Sequence, residues 1–306
     1  VRRPFRPEVF QGSLRSRRYF EGWYFKLVFP DEHFALIPGV SLSPGDRHAF
    51  VQLIRGGHGR AGYHRVGLSG FRAVHSPFSL TVGESLFSFS RLEVRLPELT
   101  ASLAVSQAKR WPRRPLAPNT MGWYSFVPFM QCNHAVLLLD AQVSGVVRDT
   151  EKHGRLYVEK DFGRSFPSAW LWLQSNSFEE PGVSVTCSIA SVPFAGRTLT
   201  GVLAGLQLDH ALYRFANYTG VRLERLEVTE RAARIAVRDR RYRLEFEARA
   251  APGADLRSPD EGRMSGTVHE TIDAEVDVRL REHGGATIFA GTGRRAGLET
   301  QHVEDL

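Results

Sequence analysis

The chain has 306 residues, 42% hydrophobic and 24% charged, a balance that fits one or two folded domains and excludes a disordered chain. No apolar run reaches the roughly 18–20 residues a membrane-spanning helix needs; the longest candidate, Ala135–Val147, is broken by Asp140, Gln142 and Gly145. The net charge of +7 does not mark a nucleic-acid binder: only Lys26, Lys109, Lys152 and Lys160 are lysines, the arginines are scattered, and the densest group, Arg231 to Arg243, alternates with apolar residues like the solvent face of a strand.

In chain order, period-two patterns dominate. Phe34–Leu42 and His48–Ile54 flank Ser43-Pro-Gly-Asp46, which reads as a hairpin. Further strands are expected at Phe78–Val82, Leu92–Leu96, Ala101–Ser106, His134–Val147, Val183–Ala190 and Thr198–Leu208. Val221–Val228, Ala233–Val237, Tyr242–Ala248 and Glu275–Leu280 follow. The best helical candidate, Leu206–Ala216, is ambiguous between helix and strand. Lys109–Asn119 and Pro252–Gly262 read as long loops. The class is all-β, and the charge run Asp149–Gly154 suggests a division into residues 1–150 and 151–306.

The two cysteines, Cys132 and Cys187, form no CxxC and fit free thiols in a reducing, cytoplasmic setting, with peripheral membrane association as the second option. The chain opens on Val1, so the native start is expected upstream; no signal-peptide pattern is visible. There is no GxSxG, P-loop or HExxH. Gly291-Thr-Gly-Arg-Arg-Ala-Gly297 misplaces the third glycine of a dinucleotide loop and leaves no room for a βαβ unit. His58 and His64 have no metal-ligand spacing around them, and no metal is expected.

Two stretches carry unusual chemistry. In Arg17–Lys26, alternation places Glu21, Trp23 and Phe25 on one face and Tyr24 with Lys26 on the other. Glu21 among aromatics is either a carboxyl that holds its proton through desolvation or one half of an ion pair with Arg18 or Lys160. In residues 157–178, Glu159 and Asp161 oppose Lys160, and Trp170, Trp172, Gln174, Asn176 and Phe178 share one parity. Two indoles, two amides and a phenyl on one strand face suit an apolar ligand with a polar head, because a plain core strand rarely buries amides. His134, entering a strand after Gln131-Cys-Asn133, is the histidine expected near such a pocket, with a satisfied barrel-rim histidine as the alternative.

Tyr-Phe-Glu-Gly-Trp-Tyr-Phe-Lys (residues 19–26), Met121–Met130, Glu-Lys-Asp-Phe-Gly (159–163) with Phe166-Pro167, Trp170 and Gln-Ser-Asn-Ser-Phe (174–178), and Ala296–Glu299 occur in the order of the sequence blocks of the tocopherol cyclase family, which the chain resembles. The resemblance implies two lipocalin-like antiparallel β-barrels and closure of a prenylated hydroquinone, or a related isoprenoid, to a chromanol without a cofactor. An acid protonates the prenyl alkene and the phenol oxygen captures the carbocation, which needs a positioned acid, aromatic faces and exclusion of water. The acid candidates are Glu21 and Asp161. Tyr24, Trp23, Trp170, Trp172 and Phe178 would wall the pocket, Gln131, His134, Gln174 and Asn176 would contact the polar head, and Lys160 would set the charge of its neighbours. Gln131 stands where the family usually has a glutamate, and Phe162 where it has a tryptophan; if that glutamate is the proton donor, another acid must act here. The alternatives are a non-catalytic carrier of an apolar isoprenoid or lipid and an isoprenoid alkene hydratase. The expected partner is an apolar small molecule, with the oligomeric state left open.

Overall fold

The structure, a computed structural model, describes residues 3–57, 59–128, 130–194, 196–209 and 211–306; His58 and Phe129 lie outside the described residues. Among these residues the regular elements are strands with four single 3-10 turns, and no helix is long and apolar enough to cross a membrane. The strands are β1 (Phe20–Val28), β2 (His33–Ser43), β3 (Asp46–Arg55), β4 (Arg60–Val66), β5 (Phe71–His75), β6 (Phe78–Val82), β7 (Ser85–Ser88), β8 (Arg91–Leu96), β9 (Leu99–Arg110), β10 (Cys132–Val147) and β11 (Thr150–Gly163). They continue as β12 (Trp170–Ser175), β13 (Ser184–Phe194), β14 (Arg197–Leu208), β15 (Ala211–Ala216), β16 (Arg222–Val228), β17 (Ala232–Arg238), β18 (Tyr242–Arg249), β19 (Ala254–Asp260), β20 (Arg263–Glu282) and β21 (Thr287–Gln301). The expected all-β class with two antiparallel, lipocalin-like sheets is what the chain adopts.

The chain forms two compact units. The first comprises Val1–Arg55, Ala61–Phe166 and Leu256–Thr267; the second comprises Gly56–Arg60, Pro167–Asp255 and Val268–Leu306. The expected boundary near residue 150 is corrected: the charge run begins a hairpin inside the first unit, where Val147 pairs with Thr150. Lys152 is held there by Glu32 at 2.9 Å.

In the first unit, eleven strands follow the order β4-β3-β2-β1-β11-β10-β9-β8-β7-β6-β5. The sheet curls until Phe25 of β1 meets Phe87 of β7 across the interior, ring centroids 5.3 Å apart. Strand alternation sends Trp23, Phe25, Leu27, Leu156 and Val158 into one apolar cluster. The expected hairpin is present as β2–β3, with Gly45 at φ 79° in its turn.

The strand order of the second sheet is β15-β14-β13-β12-β21-β20-β18-β17-β16. This sheet curls as well: Tyr213 of β15 packs edge-on to Tyr242 of β18 at 5.0 Å. Leu171, Leu173, Cys187, Phe246 and Val276 lie in its core. The arginine-rich stretch forms cross-strand ion pairs on the solvent face, among them Arg243–Glu224 at 2.7 Å and Arg249–Asp277 at 2.6 Å. Leu206–Ala216 is the end of β14 and the whole of β15 rather than a helix, and Pro252–Gly262 contains β19 rather than a plain loop.

One buried ion pair fastens the N-terminal segment across the end of the first sheet. Lys160 and Glu21, both fully buried, lie 2.5 Å apart. The ammonium also donates to the carbonyls of Pro7 (2.8 Å) and Val9 (2.6 Å), and sits 4.6 Å from the Trp23 ring and 5.0 Å from the Phe162 ring. The carboxylate accepts the Gln11 and Gly12 backbone N–H groups and the Tyr19 hydroxyl. Desolvation pulls the lysine pKa down, and the Glu21 charge and hydrogen bond oppose that. Removing one partner of such a pair costs about 3–5 kcal/mol, because the other stays buried and uncompensated. Lys160→Met is therefore expected to lower unfolding free energy in urea by about that much, and Glu21→Gln added to it to restore most of the loss. A Lys160→Met chain as stable as the parent would contradict the role assigned to the pair.

Candidate active site

The same strand that sends Lys160 inward turns Tyr157, Glu159 and Asp161 to the opposite face. On that face, β1 contributes Tyr24 opposite Glu159 and Lys26 opposite Tyr157, and β10 contributes His134 opposite Asp161 and Val136 opposite Glu159. His134 Nδ1 is 3.1 Å from Asp161 Oδ1, and its Nε2 is 3.9 Å from Glu159 Oε2. The Tyr157 hydroxyl donates to Glu159 Oε2 at 2.6 Å. Burial disfavours the imidazolium, but the charges of Asp161 and Glu159 and the Asp161 hydrogen bond outweigh it and push His134 up to about 9. At neutral pH the cluster therefore holds a charged imidazolium between two carboxyl groups. Burial and the Asp161 charge push the neighbouring Cys132 thiol well up, which makes it a poor nucleophile.

The position of His134 has a local cause. β9 ends at Arg110, opposite Leu138, so the first half of β10 lacks a strand on that side. Its edge is covered by the segment after Trp111: Thr120 Oγ1 accepts the Val136 N–H at 2.8 Å and Met121 Sδ accepts the His134 N–H at 3.3 Å. Asn119 holds this segment in shape, accepting the Met121 N–H and the Ser125 hydroxyl and donating to the Pro4 carbonyl. Between the segment and the N-terminal strap lies a cleft lined by Arg3, Pro4, Asn119, Met121, Ser125 and His134.

On the second unit, β12 alternates as the sequence predicts. Leu171 and Leu173 enter the core while Trp172 and Gln174 occupy the other face, both buried. Trp170 Nε1 donates to Glu299 Oε1 at 2.5 Å. The Trp172 ring packs against Gly297, where an added Cβ would come within 2.5 Å of it. Gln174 donates to Asn176 at 3.4 Å. Glu299 stands directly across from Glu270, and both are buried.

The structure places several of the expected site residues in other contacts. Glu21 is fully buried against Lys160 and accepts from Gln11, Gly12 and Tyr19. Trp23 lies in the hydrophobic core with its indole N–H on the Glu8 carbonyl at 2.8 Å, and Lys160 is its structural neighbour. Gln131 serves the end of the β10–β11 hairpin: its amide donates to the Phe166 carbonyl and its own carbonyl accepts the Arg164 N–H, both at 2.8 Å. Phe178 leaves the Trp170 face because β12 stops at Ser175; it packs on the core beside Phe289. Tyr157, Lys26, Glu270 and Glu299 were missed, although the alternation of β1 and β11 already placed Lys26 and Tyr157 on the Asp161 face. Among the described residues, His134, Glu159 and Asp161 also have ligand atoms close enough, within 4.8 Å, to hold a metal ion.

The raised value of His134 ties the cluster to stability. An unfolded histidine titrates near 6.5, so the folded-state gain is complete below that pH and is lost as pH rises through about 9. The stability gap between the protein and its His134→Gln variant is expected to close by on the order of 3 kcal/mol between pH 6 and pH 10. A gap that stays constant across this range, in denaturation series at each pH, would contradict the cluster geometry.

Comparison with known proteins matches residues 96–301 to the tocopherol cyclase-like family model. Among solved structures, a putative AttH from Nitrosomonas europaea is 11% identical, covering 92% of each chain with a TM-score of 0.53. CghA, solved with Sch210972, is 11% identical with a TM-score of 0.55, covering 92% of this chain and 88% of its own. Kievitone hydratase from Nectria haematococca is 10% identical with a TM-score of 0.46, covering 94% of this chain and 90% of its own. No curated protein matches the chain. The first two likenesses show a shared fold; the family match spans two-thirds of the chain, and the protein belongs to the tocopherol cyclase-like family.

Proposed function

We propose that the protein is a cyclase-type isomerase that closes a prenylated hydroquinone, or a related isoprenoid carrying a nucleophilic hydroxyl, by protonating the prenyl alkene. The observation that supports this most is the His134–Asp161–Glu159 cluster, with His134 on the wall of a cleft. The acid is the His134–Asp161 pair: the imidazolium, its charge held by the Asp161 carboxylate, gives a ring proton to the alkene carbon. The tertiary cation is captured by the phenol oxygen, and the phenol proton returns to the imidazole, so the enzyme ends each cycle unchanged. Tyr24 supplies an aromatic ring on this face. On the second unit by itself, we assign Trp170, Trp172, Gln174 and Asn176 to binding an apolar ligand with a polar head.

Gln131 favours a second reading, a carrier that holds the same ligand without proton chemistry. Anaerobic incubation with a phytyl-substituted hydroquinone in deuterated water separates the two. The cyclase reading expects a chromanol with deuterium on a former alkene carbon, and a loss of about 100-fold or more in rate for Asp161→Asn and for His134→Gln. Quinol retained unchanged would support the carrier, and full activity in Asp161→Asn would remove Asp161 from the acid pair. Trp172→Ala with undiminished ligand retention would contradict the assignment on the second unit.

A further inference from the structure

The segment that covers the β10 edge has an outer side that the proposed chemistry does not use. Leu116 is 79% exposed, Phe126 48%, Phe5 46% and Trp123 43%. Leu116, Trp123 and Phe126 lie on one segment, the Phe5 and Phe126 rings are 6.0 Å apart, and Trp123 stacks on Tyr124 at 4.0 Å. Large apolar side chains grouped this way on a folded surface mark an interaction site. The segment that carries most of them is basic: from Leu99 to Leu139 the chain contains no aspartate or glutamate, and it includes Lys109, Arg110, Arg113 and Arg114. Arg114 is exposed, and Arg113 ties Phe5 to the segment, donating to the Phe5 carbonyl at 2.8 Å and pairing with Glu8 at 2.9 Å.

We propose that this surface docks the protein on an anionic phospholipid bilayer, with Trp123, Phe126, Leu116 and Phe5 entering the interfacial region and Arg114 meeting the headgroups. Tryptophan and phenylalanine on a basic segment match the composition that partitions to that region. A protein partner would require a complementary apolar surface with acidic residues; a bilayer supplies both components at once. The segment is also built to carry load, because its inner side is tied to β10 through Thr120 and Met121 and to the N-terminal strap through Asn119. The cleft beside His134 is lined by the same segment, by Asn119, Met121 and Ser125. Docking would therefore bring the cleft to the membrane surface, where an isoprenoid ligand resides. The docking claim itself does not depend on the cyclase reading, and ligand-free vesicles test it.

The probe is vesicles of phosphatidylcholine containing about one-third phosphatidylglycerol, with co-sedimentation read from about 0.05 M to about 0.5 M salt. The protein is expected to bind, to bind less as salt rises, and to lose about tenfold or more in affinity on Trp123→Ser with Phe126→Ser. Arg114→Glu should weaken binding at low salt. Should the double variant fail to fold, brominated acyl chains decide the matter: they should quench the native protein's fluorescence, and Trp123→Phe should remove that quenching. Absence of vesicle binding at low salt, or quenching unchanged in Trp123→Phe, overturns the proposal. So does a stable dimer in solution that the double variant dissociates, since the patch would then be covered by a second copy of the chain.

Discussion

The alternation of a single strand, β11, is the constraint on which the first unit depends. One parity carries Lys160 into the interior, and a buried ammonium is tolerable only with a close counter-charge and full hydrogen bonding. Glu21 supplies the charge, but its second oxygen and the remaining ammonium donors need partners too. They are found in the backbone of residues 7–12, which is why the N-terminal strap crosses the sheet end at all. The other parity carries Glu159 and Asp161 to the opposite face, where His134 lies between them. The charged triplet is thus divided: its middle residue builds structure, and its outer two build a site.

The second dependence is an unfinished strand pairing. Because β9 stops at Arg110, half of β10 would expose backbone donors at a sheet edge. The proline-rich segment that follows satisfies them with a hydroxyl and a thioether in place of a partner strand. This fixes Met121 and Ser125 beside His134 and leaves Trp123 and Phe126 on the outside. A cleft and an exposed aromatic surface are consequences of the same missing strand.

Much of this was legible in the sequence. Period-two patterns gave the class, the β2–β3 hairpin and the two faces of β1, β11 and β12, because a half-buried strand must alternate. Even the Glu21–Lys160 pair was one of two readings, and full burial with donors on every side decides for it. What the sequence hid was set by tertiary context. Phe178 keeps the parity of Trp170 on paper, but parity means nothing past Ser175, where the strand ends. Leu206–Ala216 joins the end of β14 to the whole of β15, and the apolar pattern runs on from one to the other. The 149–154 charge run resembles a linker only until Lys152 finds Glu32. His134 and Asp161 are 27 residues apart, and only the hairpin register makes them neighbours; Glu270 and Glu299 meet by register across β20 and β21 for the same reason.

The central claim is that His134 is a charged imidazolium clamped by Asp161 and Glu159. Nuclear magnetic resonance titration of histidine-labelled protein, with the His134 signal identified by its loss in His134→Gln, measures this directly. The account predicts that His134 titrates near 9 and is protonated at neutral pH. A midpoint at or below the ordinary histidine value of about 6.5 would mean that the two carboxyl groups do not hold the ring, and would contradict the account.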